Sequence, residues 1–238
     1  MIEIGKNNFL KVAREVDFGL YLTDGEEDIL LPIKYVPEDT KIDDEIEVFV
    51  YKDSEDRPIA TTLDPFAKLD EFAFMEVVDT NSSGAFLDWG LEKDLFVPLK
   101  EQQAKMQVGG RYIVKVCFDF RTERLIGVSK INSLFEKDTS TLEERQEVDL
   151  LIYAQTDLGY NAVVNNRYTG LIFNNDVFTP LNIGDNTIGY IKHIREDGKI
   201  DVTVRPFGMD AIESAKKSIM VNLRFAKDGF LELNDKSE

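Results

Sequence analysis

A chain of 238 residues, 43% hydrophobic and 31% charged with a formal charge of −17, has the make-up of a globular protein of two or three small domains. It holds no apolar run near the roughly 18 residues a membrane span needs, and its opening MIEIGKNNFL lacks the basic and apolar segments of an export signal, so the expected compartment is the cytoplasm. Cys117 and His193, the lone cysteine and histidine, can build neither an internal disulfide nor the usual structural zinc site, and no cofactor is expected.

The first element to stand out is VDFGLYL (16–22), where Gly19 precedes Leu20, Tyr21 and Leu22. DILLP then ends an apolar stretch at Pro32, EIEVFVYK (45–52) reads as a long alternating strand, and a polar turn follows at Arg57. The same events recur from Gly84 in GAFLDW: an apolar stretch ending at Pro98, the strand RYIVKVCFDF (111–120), and a turn at Arg124 before RLIGVS. In GAFLDW the alternation turns Ala85, Leu87 and Trp89 to one face and Phe86 and Asp88 to the other. The polar stretch DTSTLEERQE (138–147) reads as a linker or a short exposed helix, after which a third copy opens on Gly159 in GYNAVV. Its apolar stretch ends at Phe173, its long strand is TIGYIKHI (187–194), and its basic turn residue is Lys199. From each glycine the apolar stretch ends 13, 14 and 14 residues on, and the basic turn residue follows at 38, 40 and 40.

Each copy reads as five short strands in about 65 residues, with helical periodicity only in short connections around 99–105 and 174–179, which suits a small barrel that hides its edges by closure. The fold expected is therefore mainly β, with domains at 1–67, 68–138 and 139–208. From Met209 the period changes: Ile212, Ala215, Ile219, Leu223 and Ala226 mark an amphipathic helix, with Asp210 and Glu213 in capping-box spacing and the strand-like GFLEL after it. Residues 209–238 are too few to fold alone and are expected to dock on the third barrel or to continue in a longer natural protein.

The charge is unevenly spread. Residues 1–67 carry 7 basic and 17 acidic residues, whereas between Lys100 and Lys130 seven basic residues, Arg111, Lys115, Arg121 and Arg124 among them, face three acidic ones. A local positive strip can serve a polyanion within an acidic whole.

The run Phe18-Gly19-Leu20-Tyr21-Leu22, in part Ser83-Gly84-Ala85-Phe86-Leu87, and the stretches VGGRYIVKV and IGDNTIGYIKHI resemble the S1 RNA-binding domain, an OB-fold. Three such units, with IREDGKIDV and the tail DGFLELNDKSE, resemble the bacterial conserved virulence factor B (CvfB) family, which carries three S1-like units and a winged helix and binds RNA. The resemblance implies three tandem S1-type five-stranded barrels followed by the start of a winged-helix domain, here reduced to its first helix and strand. It also implies that single-stranded RNA lies over the second and third strands. Carried over by position, the implied RNA contacts are Phe18, Tyr21 and Arg57 (with Asp53) in the first unit, Phe86, Asp119 and Arg124 in the second, and Phe173 and Lys199 in the third. Pro32 and Pro98 stand where the S1 pattern has a histidine, Ser83 and Leu158 replace its first aromatic, and Asn161 its second, so no unit holds the full set.

Each of these features has a plainer reading. The rings can be buried between barrels, the basic turn residues merely solvated, and Trp89, on the inward face, is expected to pack rather than to meet a ligand. The acidic runs DGEED and DDE lack calcium-loop spacing. The function expected is low-specificity binding of single-stranded RNA in post-transcriptional regulation, of virulence or stress genes in the family. The alternative is an interaction scaffold whose acidic first domain docks a protein. No clustered carboxylate or histidine motif speaks for an enzyme.

Overall fold

The computed structural model describes residues 1–207 and Met220. Met220 apart, the expected helix and the GFLEL piece lie outside the described residues. Among the described residues, fifteen strands fall into three sets of five. The first set is β1 (Asn7–Val16), β2 (Gly19–Thr23), β3 (Asp28–Pro32), β4 (Glu45–Lys52) and β5 (Pro58–Thr61). The second is β6 (Phe72–Thr80), β7 (Gly84–Leu87), β8 (Leu95–Pro98), β9 (Arg111–Asp119) and β10 (Arg124–Val128). The third is β11 (Glu147–Thr156), β12 (Gly159–Val164), β13 (Tyr168–Phe173), β14 (Asn186–Ile194) and β15 (Ile200–Thr203).

The first set closes in the order β1-β2-β3-β5-β4 and the third in the equivalent order. The second keeps that cyclic order as β10-β9-β6-β7-β8, its end strands β8 and β10 lying side by side without a hydrogen-bonded ladder. Closure grades in the same way: β13 pairs β15 at three positions, whereas β3 pairs β5 only at Leu30 and Ile59. Three tandem S1-type OB barrels are therefore present, as expected.

The shared geometry has local causes. Gly19, Gly84 and Gly159 each sit where one strand backs onto the next: an added Cβ would lie 2.1 Å from the Leu31 carbonyl oxygen, 2.3 Å from that of Val97 and 1.9 Å from that of Ile172. Across from each glycine lies Pro32, Pro98 or Phe173. One residue further on, an amide donates back to the residue before the glycine: Ile33 to Phe18 at 2.9 Å, Leu99 to Ser83 at 3.0 Å and Asn174 to Leu158 at 3.1 Å. A bulge interrupts the first strand of every set at one place, after Val12, Val77 and Ile152, and bends the strand around the barrel. The helical connections expected near 99–105 and 174–179 are single 3-10 turns, Leu99–Glu101 and Asn174–Asp176. The stretch 138–147 holds turns and the first residue of β11 rather than a helix.

The chain divides into two compact units, Met1–Phe135 and Glu136–Glu238. In the second, Val148, Leu150, Ile152, Ile172, Ile191 and Val202 fill one barrel. In the first, Leu10, Val12, Leu22, Leu31, Val48 and Val50 fill one barrel, while the core of the other is shared. Strand β4 explains the sharing. Val48 and Val50 point into their own barrel, and the intervening Phe49 and Tyr51 point out, yet are 2% and 5% exposed. Trp89 covers them edge-on, its ring centroid 5.8 Å from Phe49 and 6.4 Å from Tyr51. Trp89 thus packs as expected, but across a seam between two barrels.

Candidate functional site

The outward face of the second barrel is built by alternation. Leu95 and Val97 of β8 are buried, so Phe96 and Pro98 face out, and Asp94 precedes them on the same side. On β7, Ala85 and Leu87 are buried and Phe86 faces out. Register sets Phe86 directly opposite Phe96, with centroids 5.2 Å apart and planes tilted by 42°. These two rings line a cleft of about 510 Å³, whose walls include Ser83, Pro98, Asp119, Thr122 and Arg124 of the second barrel and Tyr51, Lys52 and Ser54 of the first. Three residues expected from sequence, Phe86, Asp119 and Arg124, therefore meet in one place, together with the residues that replace the S1 aromatic and histidine.

Their electrostatic states differ. Asp119 accepts the Arg121 amide at 3.0 Å and the Thr122 hydroxyl at 3.0 Å, and these bonds, with Lys100 and Arg121 nearby, hold its carboxyl below the usual range. Arg124 is paired with Asp56 in the β4–β5 turn, a bond that keeps the Asp56 carboxyl low. Lys93 donates to the backbone carbonyls of Lys52 at 3.0 Å and Asp53 at 2.6 Å, and burial lowers its pKa. Lys34 pairs with Glu92 in a further bond across the seam. Within the basic strip, Lys130 donates to the Lys100 carbonyl at 2.6 Å, Lys115 approaches Asp70 at 3.7 Å, and Arg111 lies 4.7 Å over the Phe74 ring. Lys105 and Arg121 have no ion pair among the described residues and are exposed.

The remaining expected residues lie apart from the cleft. Phe18, 56% exposed, sits in the turn before Gly19. Tyr21 is half-buried on β2, with the Arg14 guanidinium 4.0 Å over its ring and Arg14 in turn held by Asp28 at 2.7 Å. Arg57 is clamped by Asp53 at 2.8 Å and Glu55 at 2.9 Å. The outward row Arg14, Tyr21, Leu30, Ile59 and Tyr51 runs across the first barrel by register and ends beneath Trp89. In the third barrel Phe173 is half-buried with Arg195 at 5.9 Å, and Lys199 is exposed and paired with Asp197 at 2.7 Å.

Phe96, Asp94 and Trp89 were not legible as site or seam residues from motif matching, although alternation in DLFVP carries Phe96 and Asp94 outward beside Phe86. The run Val48-Phe49-Val50-Tyr51, apolar on both faces, was the signal that β4 is covered twice. Phe120, one residue past Asp119, is 85% exposed and stands edge-on to Phe118 at 5.1 Å.

Residues 4–63, the first barrel, match the family model of the S1 domain. Over 241 residues the chain is 27% identical to an uncharacterized protein, YitL, of Bacillus subtilis (strain 168), an alignment that spans 98% of this chain and 80% of that protein. A crystal structure of a multidomain protein with nucleic acid binding domains from Streptococcus pneumoniae TIGR4 matches with a TM-score of 0.50 at 19% identity, covering 99% of this chain and 85% of that one. At that identity the likeness is one of fold, and it extends over all three barrels. Among the described residues there is no cluster suited to a metal ion and no helix long and apolar enough to cross a membrane.

Proposed function

We propose that the protein binds single-stranded RNA through the cleft on its second barrel, with stacking as the main contact and low overall sequence preference. One observation carries this reading: Phe86 and Phe96 form a paired aromatic floor in a cleft that also gathers Asp119, Arg124 and the S1-equivalent Ser83 and Pro98. Unstacked bases lie on such rings whatever their identity, each contributing about 1–3 kcal/mol. The S1 match of the first barrel and the nucleic acid binding domains of the Streptococcus protein support the reading. Tyr21 and Phe18 offer a second, weaker platform, and Phe173 and Lys199 a third. The resemblance to the CvfB family extends the proposal to post-transcriptional regulation in the cytoplasm by a protein with no catalytic step.

The first barrel also suits a second role. Its Arg57 is neutralised by two carboxylates and its net charge of −10 repels phosphate, so docking of a protein partner there is the alternative use of that barrel.

Anisotropy of labelled oligo(U) against rising salt tests the main reading. Affinity should fall with a log–log slope of about −0.7 per phosphate neutralised, and Phe86→Ala should weaken binding by roughly tenfold. No binding by the wild-type chain at low salt overturns it in favour of the docking role.

A further inference from the structure

The cleft is polarised. Lys100 and Arg121 lie near Asp119 at one side, whereas Asp79 and Asp88 lie near Asp94 at the other. Three carboxylates line its walls, and two are already occupied: Glu92 by Lys34, and Asp119 by the Arg121 amide and the Thr122 hydroxyl. Asp94 alone has no hydrogen bond or ion pair among the described residues, although it is partly buried beside the ring pair. Burial first, and then the charges of Asp88 and Asp79, push its carboxyl above the usual range, which marks an acceptor short of donors.

A base stacked on Phe86 and Phe96 turns its edge toward the cleft walls. An ionised carboxylate offers acceptors only. Guanine presents two adjacent donors, N1–H and N2–H, that fit the two oxygens of one carboxylate. Uracil presents a single N3–H flanked by two carbonyl oxygens, which a carboxylate repels. Adenine and cytosine each present one amino group beside a ring acceptor. We propose that Asp94 reads the base held on the Phe86–Phe96 platform and selects an unpaired guanine at that one position, in a complex whose remaining contacts are indifferent to sequence. The inference rests on the RNA-binding reading above and adds a specificity-determining residue to it.

The test compares 5′-labelled UUGUU, UUUUU, UUAUU and UUIUU, with I for inosine, on the full chain at low salt. The wild type should bind UUGUU about tenfold more tightly than UUUUU, the size of one good bidentate base contact. UUIUU, which lacks the N2 amino group, should lose most of that gain. Asp94→Asn removes no existing contact and so leaves the fold intact; it should lose the preference for UUGUU over UUUUU, because a side-chain amide pairs with the N3–H and O4 of uracil as readily as with the N1–H and O6 of guanine. Equal binding of the four by the wild type, equal gains for adenosine, inosine and guanosine, or retained selection by Asp94→Asn would each overturn the role of Asp94 while leaving RNA binding standing. Failure of every pentamer to bind would remove the RNA-binding reading itself, and the role of Asp94 with it.

Discussion

At the scale of single residues, what decides a side chain's role is whether its partner is already present. Arg124 and Phe86 were both expected to contact RNA, yet Arg124 is held by Asp56, while the ring contact of Phe86 among the described residues is with Phe96. Arg124→Ala would therefore disturb the seam as well as any ligand, and Phe86→Ala is the cleaner probe. Tyr51 shows the same logic in its ionisation. Buried beneath Trp89, its phenol is pushed up to about 12 from an ordinary 10, with burial the main cause. The folded state then binds a proton that the unfolded state releases. The contribution of Tyr51 is complete below pH 10 and declines as pH rises from 10 through 12. The expected loss is on the order of 2 kcal/mol by pH 12, where half of the folded chains have released the proton. Denaturant melts of wild type and Tyr51→Phe at pH 9, 10, 11 and 12 should show the wild type losing that much stability relative to the variant. A constant difference would mean that Tyr51 is wetter than the structure has it.

At the scale of elements, the repeat was legible because its causes are local. Gly19 and Gly159 adopt φ of +154° and +149°, and each leaves no room for a Cβ against the facing carbonyl. Both requirements select glycine, and a spacing kept at 38 to 40 residues to the basic turn then follows from strand lengths that one barrel size permits. Gly159→Ala should destabilise the third barrel by about 3 kcal/mol or more, because backbone strain and a clash with the Ile172 carbonyl add. Gly25, at φ +97° but with open space around it, is the control: Gly25→Ala should cost only about 1 kcal/mol from its backbone angle. Thermal melts of the two variants would separate sterics from backbone preference, and equal losses would refute the role of the close approach. The connections were less legible. A three-residue 3-10 turn such as Leu99–Glu101 is too short to show periodicity, so the sequence around it reads as a longer helix than exists.

At the scale of the whole molecule, the sequence pattern identified the barrels but not which of them share a core. Alternation places Trp89 inward and Tyr51 outward without naming a partner, and Asp56 and Arg124 are 68 residues apart; pairings at that distance leave no local trace. The seam within Met1–Phe135 combines one buried aromatic cluster with the part-buried bonds from Lys93 to the Lys52 and Asp53 carbonyls and with exposed ion pairs. The Arg124–Asp56 and Lys34–Glu92 pairs are about half exposed and screened by solvent, so they add little. Truncating Trp89, 3% exposed and covering Phe49 and Tyr51, should cost about 3–5 kcal/mol. Trp89 is therefore the largest expected contributor to holding the first two barrels together, and that contact sets Tyr51, Lys52 and Ser54 of the first barrel in the wall of a cleft floored by the second. In native-state hydrogen exchange of the wild type, the slowest amides of β1 and β4 and those of β6 and β9 should open at one common free energy. In Trp89→Ala they should separate into two classes, and oligo(U) affinity should fall even though the rings of Phe86 and Phe96 remain. Two opening energies in the wild type, or a single one in the variant, would show that the seam does not couple the barrels, and the cleft would then have to work from the second barrel alone.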